Sequence, residues 1–269
     1  MKANMFLPEN KMIIFNRFAH KLHRDRASKK LNQHNFLLSH TLEDLVERIN
    51  DHSQNYETAL DLGCYDGRFS KIKSNLKIKQ LVQTDISYKM LQKTDGQRVQ
   101  VDEEFLPFAD NSFDLIISNL NLHWVNDLPG TMLQINRILK PKAVFTASII
   151  GGKSLIELRK VLIEAEEKLG HRISSHISPM IDAIDASSLL QRTKFLNPIT
   201  DSTTVTVSYP NLIKLFLDLR GMAQSNCLVN PSILSNKTLE LAELLYKKQY
   251  GKNNKIIVNF EIITLWGTK

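Results

Sequence analysis

Asp61-Leu62-Gly63-Cys64-Tyr65-Asp66-Gly67 is the stretch on which the reading of this chain turns. It follows an apolar run, Thr58–Leu62, and precedes a helical stretch, the setting that a glycine-rich nucleotide turn requires. Glycine lets the backbone approach a ligand with no Cβ in the way. The same Gly-x-x-x-Gly spacing also serves as an ordinary turn between a strand and a helix, so taken singly it leaves both readings open.

Working outward, short apolar runs alternate with helical sequence. The predicted strands are Thr58–Leu62, Gln80–Thr84, Phe113–Ser118 and Val144–Ile150, and such alternation argues for βαβ units in a parallel sheet. A helix is expected over Ser154–Leu169, with Leu155, Leu158, Leu162 and Ala165 on one face, and a shorter one over Ile184–Gln191. Ser202–Tyr209 and Ile256–Trp266 are β-rich, with helical patterns at Asn211–Gly221 and Pro231–Tyr250 between them. Two late strands separated by a helical insertion fit an antiparallel pair closing an otherwise parallel sheet. Residues 11–50 read as helical, and Thr41 is placed as the N-cap of a helix carrying Leu42, Leu45, Val46 and Ile49. The organisation expected is a helical cap over 1–50 and an α/β domain over 51–269, with the insertion at about 210–254.

Three further positions extend the glycine turn into a site. Asp85 ends the second strand about twenty residues on, the spacing expected of an acid that bonds a ribose diol. It is equally placed to cap the following helix, and both roles suit one position. Asp102-Glu103-Glu104-Phe105-Leu106-Pro107-Phe108, followed by Phe113–Ser118, resembles the adenine-binding loop and fourth strand of class I methyltransferases. On that resemblance Asp102 accepts from the adenine amine while Ile86 and Phe105 flank the ring, and at least one of Glu103 and Glu104 is a solvated loop charge. After the fourth strand come Asn119, Leu120, Asn121, Leu122, His123 and Trp124, where ligands collect outside the carboxyl ends of parallel strands. His123 is a candidate base or orienting group, with a satisfied structural histidine as its alternative. Trp124 is a candidate pocket wall or cation platform.

The chain of 269 residues is 42% hydrophobic, enough for one large α/β domain with elaborations. Its net charge of +7 is concentrated near the start, in Lys11, Arg17, Lys21, Arg24, Arg26, Lys29 and Lys30, opposed by Asp25. That run reads as a solvated helix face. Phe15, Phe18 and Phe36 beside it read as core, so a nucleic-acid partner is not expected, while contact with a membrane surface stays open. Cys64 lies in the turn itself, where a disulfide to Cys227 would obstruct a ligand, which argues for a reducing compartment. No apolar stretch reads as a membrane span or secretory signal, while the basic start leaves a mitochondrial presequence open, although the segment is poor in serine and carries Glu9 and Asp25. The expected location is cytoplasmic, or the mitochondrial matrix in a eukaryotic cell. His171 and His176 show no recognised metal spacing, so no metal is assigned. Hydrolase elbows, Walker loops and paired Cys-x-x-Cys motifs have no match.

Beyond the site, the chain resembles the mitochondrial complex I assembly factor 5 family and its bacterial relatives, themselves similar to malonyl-carrier-protein methyltransferases. The resemblance rests on Asp102–Phe108, Leu122–Pro129, Ile138–Pro141, Gly151-Gly152 with Leu155–Arg159, Ser175–Pro179 and Asp218–Asn226. It implies a Rossmann-like, seven-stranded, mostly parallel doubly wound sheet, the class I methyltransferase fold. It also implies S-adenosylmethionine held by Asp61, Gly63, Gly67, Asp85 and Asp102, with Cys64, Ile86, Glu103 and Asn119 as neighbouring candidates. The activity implied is methyl transfer to an acceptor that the sequence does not name. Hydroxylation of an arginine in a respiratory complex I subunit is the alternative, and non-catalytic assembly the third reading. Partners expected are a complex I subunit or a small-molecule or carrier-protein acceptor. Two departures stand out: Tyr65 replaces a glycine of the family turn, and Leu139-Lys140-Pro141-Lys142-Ala143 replaces Leu-Lys-Pro-Gly-Gly. A side chain at 65 narrows the pocket or demands a less permissive backbone angle.

Overall fold

The computed structural model describes residues 13–52, 55–73 and 76–269; Glu9, Lys11 and the predicted helix start at 11 lie outside them. Two N-terminal helices, α1 (Arg17–Ala27) and α2 (Phe36–Asp51), lead into β1 (Tyr56–Leu62), α3 (Arg68–Ile72), β2 (Ile78–Asp85), α4 (Tyr88–Leu91), β3 (Gln97–Gln100) and β4 (Phe113–Asn119). A 3-10 turn at Leu122–Trp124 precedes α5 (Leu128–Ile138), β5 (Leu139–Ile150), α6 (Ile156–Lys168), α7 (Ala183–Arg192) and β6 (Leu196–Tyr209). The chain ends with α8 (Leu212–Gly221), α9 (Asn236–Tyr250), β7 (Gly251–Lys252) and β8 (Lys255–Thr268).

The strands form one sheet in the order β3-β2-β1-β4-β5-β8-β6, parallel from β3 to β5. β8 runs antiparallel between β5 and β6, with Ile149 opposite Ile263 and Thr203 opposite Ile262. The closing antiparallel pair and the helices inserted between its strands are therefore as read. An eighth strand was not foreseen: β7 turns back onto the start of β8 through Asn253 and Asn254, both at positive φ. Asparagine tolerates that backbone region, which a tight hairpin needs at both central positions.

Period-two alternation explains why the sheet is covered on both faces. Leu115 and Ile117 of β4 join Leu42, Leu45 and Ile49 of α2 on one side. Ile116 points the other way, into a cluster with Met132 and Ile135 of α5 and Leu189 of α7. A third cluster gathers α6, α8 and α9 over Val258, Phe260 and Ile262 of β8. Thr41 is not an N-cap, contrary to expectation: α2 begins a turn and a half earlier, at Phe36. Inside the helix the Thr41 hydroxyl bonds the Leu37 carbonyl and Asn119 Oδ1, so its polarity serves tertiary contact. The basic run is only partly a solvated face. Arg26, Lys29 and Lys30 are exposed, but Arg24 is fully buried and Arg17 is turned inward. Phe15 is core beside Trp124 and Cys227, and Phe36 packs against the separate α6, α8 and α9 cluster, whereas Phe18 is 67% exposed.

Candidate active site

The sheet order reverses between β1 and β4, and the carboxyl ends of β1, β2 and β4 bring Asp61, Asp85 and Asn119 to one crevice. The turn after β1 is held by Gly63 and Cys64, whose amides both donate to the Thr84 carbonyl at 2.9 and 2.8 Å. Gly63 sits at φ +78°, and a Cβ there would overlap the Asn121 side chain. Gly67 sits at φ +72° and opens α3. Tyr65 takes φ 53° without being glycine, as does Lys142 at φ 66°, so two of the three replaced glycine positions keep the left-handed backbone under a side chain. That conformation costs about 1–2 kcal/mol for an L-residue.

What holds Tyr65 there is a network that the sequence did not reveal. Its hydroxyl donates to the Leu120 carbonyl at 2.8 Å and accepts from Gln224 Nε2 at 2.8 Å. The same Gln224 amide donates to the Leu120 carbonyl, and its oxygen accepts from Trp124 Nε1 and His123 Nε2, both at 2.9 Å. With His123 Nδ1 facing the Ile150 amide at 3.5 Å, the ring carries its proton on Nε2. Burial pushes the His123 pKa down to about 4, so the imidazole is neutral at physiological pH. Gln224 comes from the loop after α8, a hundred residues away from His123. No signal in the sequence marks it: the resemblance block around it rests on Asp218–Met222, Ser225 and Asn226 and leaves 223 and 224 unmatched.

Asp85 is fully buried and uses both oxygens: Oδ1 accepts from the Ser87 amide, and Oδ2 from the Tyr65 amide and Arg24 Nη2 at 2.6 Å. It is not the helix cap; the Ser87 hydroxyl takes that role by accepting from the Met90 amide. Asp102 accepts from Arg17 Nη2 at 2.8 Å, and Glu103, read as a candidate solvated charge, is 1% exposed and also paired with Arg17. Glu104 accepts from the amide of Asn126, so it too is tied into the site. Ile86 is buried, whereas Phe105 is 66% exposed. Asn119 spends its side chain on structure, accepting from Thr41 and Ser148 hydroxyls and donating to the Leu38 carbonyl.

Arg17, His20 and Arg24 recur at i, i+3 and i+7, one face of α1. That spacing of polar residues on an inward face is the signal that identified none of them from sequence, because buried arginines are rare.

Several buried polar atoms of the crevice have no partner among the described residues: Asp61 Oδ2, Glu103 Oε1 and both amide atoms of Asn121. Together with the Gly63 cradle they match a polar, partly cationic ligand in kind. Burial, with Asp85 beside it, raises the Asp61 pKa to about 8, while Arg24 opposes the shift. A raised carboxyl pKa stabilises the fold only while the proton stays on. The contribution is intact below about pH 4 and is lost as pH climbs toward about 8. Asp61→Asn should therefore melt above the parent near pH 8 and converge with it in acid, as measured by thermal unfolding across that range.

Beyond Gln224 lies a cavity of about 350 Å³ between α6, the 176–180 segment, α8 and the 225–234 loop. Its walls are largely apolar, with Leu158, Leu162 and Phe216, and Trp124 and Gln224 form the end nearest the turn. His176 at its edge is paired with Glu166 at 2.7 Å.

A model described as a methyltransferase domain matches residues 60–147. The mitochondrial arginine-hydroxylase NDUFAF5 of Danio rerio is 35% identical, over 96% of this chain and 83% of that protein. Malonyl-[acyl-carrier protein] O-methyltransferase 1 of Coxiella burnetii is 29% identical, over 68% of this chain and 62% of its own length. The solved structure of Haemonchus contortus phosphoethanolamine N-methyltransferase 2 with S-adenosyl-L-methionine superposes with a TM-score of 0.56 at 16% identity, over 93% of this chain and 60% of that one, which establishes the shared fold. S-adenosylmethionine is accordingly the cofactor of this enzyme. The chain belongs to the NDUFAF5 family, on the class I S-adenosylmethionine-dependent methyltransferase fold.

Proposed function

We propose that this enzyme uses S-adenosylmethionine at the glycine turn to modify an acceptor received in the apolar cavity, and that the modification is methyl transfer. The supporting observation is Gln224, which lines that cavity and hydrogen-bonds Tyr65 of the turn, so one side chain spans both compartments. Asp85 would take the ribose hydroxyls, Asp102 and Glu103 the adenine edge, and Asp61 the ammonium, with Gly63 and Gly67 giving close backbone approach beside Cys64, Ile86 and Asn119. The cofactor supplies an electrophilic methyl group on a sulfonium. The protein's own part is alignment and exclusion of water, which suffices for an acceptor that is already nucleophilic. A cationic group beside Asp61 favours its carboxylate, so binding there releases a proton. His123 and Trp124 act by positioning: both are held on Gln224, and the neutral imidazole is a hydrogen-bond partner and not a cation.

The name of the Danio rerio relative supports a second reading, hydroxylation of an arginine, and the family resemblance supports a respiratory complex I subunit as the protein carrying it. The Coxiella burnetii relative supports a carrier-protein acceptor for the methyl reading. No helix among the described residues is long and apolar enough to cross a membrane. The mitochondrial name of the Danio rerio relative supports the mitochondrial matrix as the location in a eukaryotic cell, and the cytoplasm is the reading for a bacterial one. Mass analysis of complex I subunits and carrier proteins from cells with and without the gene separates the readings. A methyl increment supports transfer, an oxygen increment on arginine supports hydroxylation, and no change in either leaves non-catalytic assembly. For the cavity, Ser225→Trp should lower label transfer at least about tenfold while cofactor affinity stays unchanged, because Ser225 lines the cavity and not the turn. Unchanged transfer removes the cavity from the proposal.

A further inference from the structure

We infer that α1 is a built-in occupant of the nucleoside half of the site, a strap whose Arg17 and Arg24 stand on the same carboxylates that the cofactor requires. The inference rests on the cofactor reading above. Arg24 donates to Asp85 Oδ2, and its guanidinium lies 3.4 Å from the centre of the Tyr65 ring. Arg17 bridges Asp102 and Glu103 and donates to the Trp124 carbonyl. Hydroxyl and amino groups of a nucleoside are donors of the same kind, so strap and cofactor compete for one acceptor set. The void beside the turn, bounded by Asp61, Gly63, Cys64, Leu38 and Phe69, is about 10 Å³, room for about one water.

The strap's fit is incomplete, which is what distinguishes a displaceable occupant from permanent core. Among the described residues, Arg24 Nε and Nη1 are buried without partners, as are both ring nitrogens of His20, which packs on Trp124. Native cores rarely leave so many polar atoms unpaired in one place, and hydration or a ligand relieves each of them. The start of α1 is tied down separately. The Asn16 amide donates to the Cys227 carbonyl, Phe15 bridges Leu228, and the amides of Ile14 and Phe15 share Asn126 Oδ1. That anchor lies beside Asn226 of the acceptor cavity, so α1 pivots from the acceptor side while its arginine face leaves the crevice.

The test combines calorimetric titration of S-adenosylmethionine into the full chain with hydrogen exchange of the α1 amides. Removing a competing occupant raises the binding-competent fraction, so Arg17→Gln should tighten binding about tenfold, and Arg24→Gln by at least as much. In the unaltered chain, saturating cofactor should speed exchange across residues 17–27. Arg17 lies at the rim, so its variant keeps the test decisive even if Arg24→Gln unfolds. Binding by the unaltered chain with α1 equally or more protected, together with unchanged or weaker binding by Arg17→Gln, overturns the strap and leaves the cofactor reading intact. Absence of binding by every form overturns both.

Discussion

Asp85→Ala should lower the unfolding free energy by about 3–5 kcal/mol, the cost of leaving a buried cation without its partner. Arg24 is fully buried, Asp85 Oδ2 is the acceptor it reaches, and two of its guanidinium nitrogens already lack partners among the described residues. The same substitution frees the Tyr65 and Ser87 amides, adding backbone donors to the loss. Urea titration measures it. The control is Arg24→Met with Asp85→Asn, which removes both charges at similar volume and should recover most of the loss. A single-substitution cost under about 1 kcal/mol would mean that Arg24 is not held in the crevice in solution. That result would place α1 open at rest.

Gln224→Leu should be nearly as damaging to the fold, by about 3 kcal/mol, and should reduce acceptor turnover about a hundredfold. Its carboxamide is the shared partner of His123, Trp124, Tyr65 and the Leu120 carbonyl, and each buried group left alone costs about 1–3 kcal/mol, partly relieved by relaxation. Two of the four partners belong to the turn and its strand-end neighbour, and Tyr65 and Leu120 hold positive φ angles of 53° and 44°. Without Gln224 the network no longer over-determines that strained pair. Gln224→Glu separates the halves, since a carboxylate still accepts from His123 and Trp124 but donates nothing to Tyr65. If turnover survives Gln224→Leu in the fraction that remains folded, the link between cavity and turn carries no function.

Both predictions concern residues whose roles are invisible in linear order, and the same division runs through the molecule. The parallel sheet was legible because β1, β2, β4 and β5 are short apolar runs separated by helical spacing, a local pattern fixed by strand and helix periodicity. The acidic ends of those strands were legible for the same reason: a carboxylate at the end of a buried strand has few structural uses, so Asp61 and Asp85 stand out. β3 and β7 were missed, β3 because Gln97–Gln100 is a short exposed polar run and β7 because two residues carry no periodicity, and Thr41 was misread because a polar residue inside a helix looks like a cap until its partner, Asn119, is known.

By itself, then, the order of residues determined the sheet, the glycine turn and the carboxylates around it, since each depends on neighbours within a few residues. Tertiary structure alone decided what faces those carboxylates. Arg17 and Arg24 read as solvated because isolated charges avoid burial; only the fold brings them within reach of Asp102, Glu103 and Asp85, where pairing makes burial tolerable. Gln224 likewise acquires its role when the loop after α8 closes over the turn, and no local rule ties a glutamine at 224 to a tyrosine at 65.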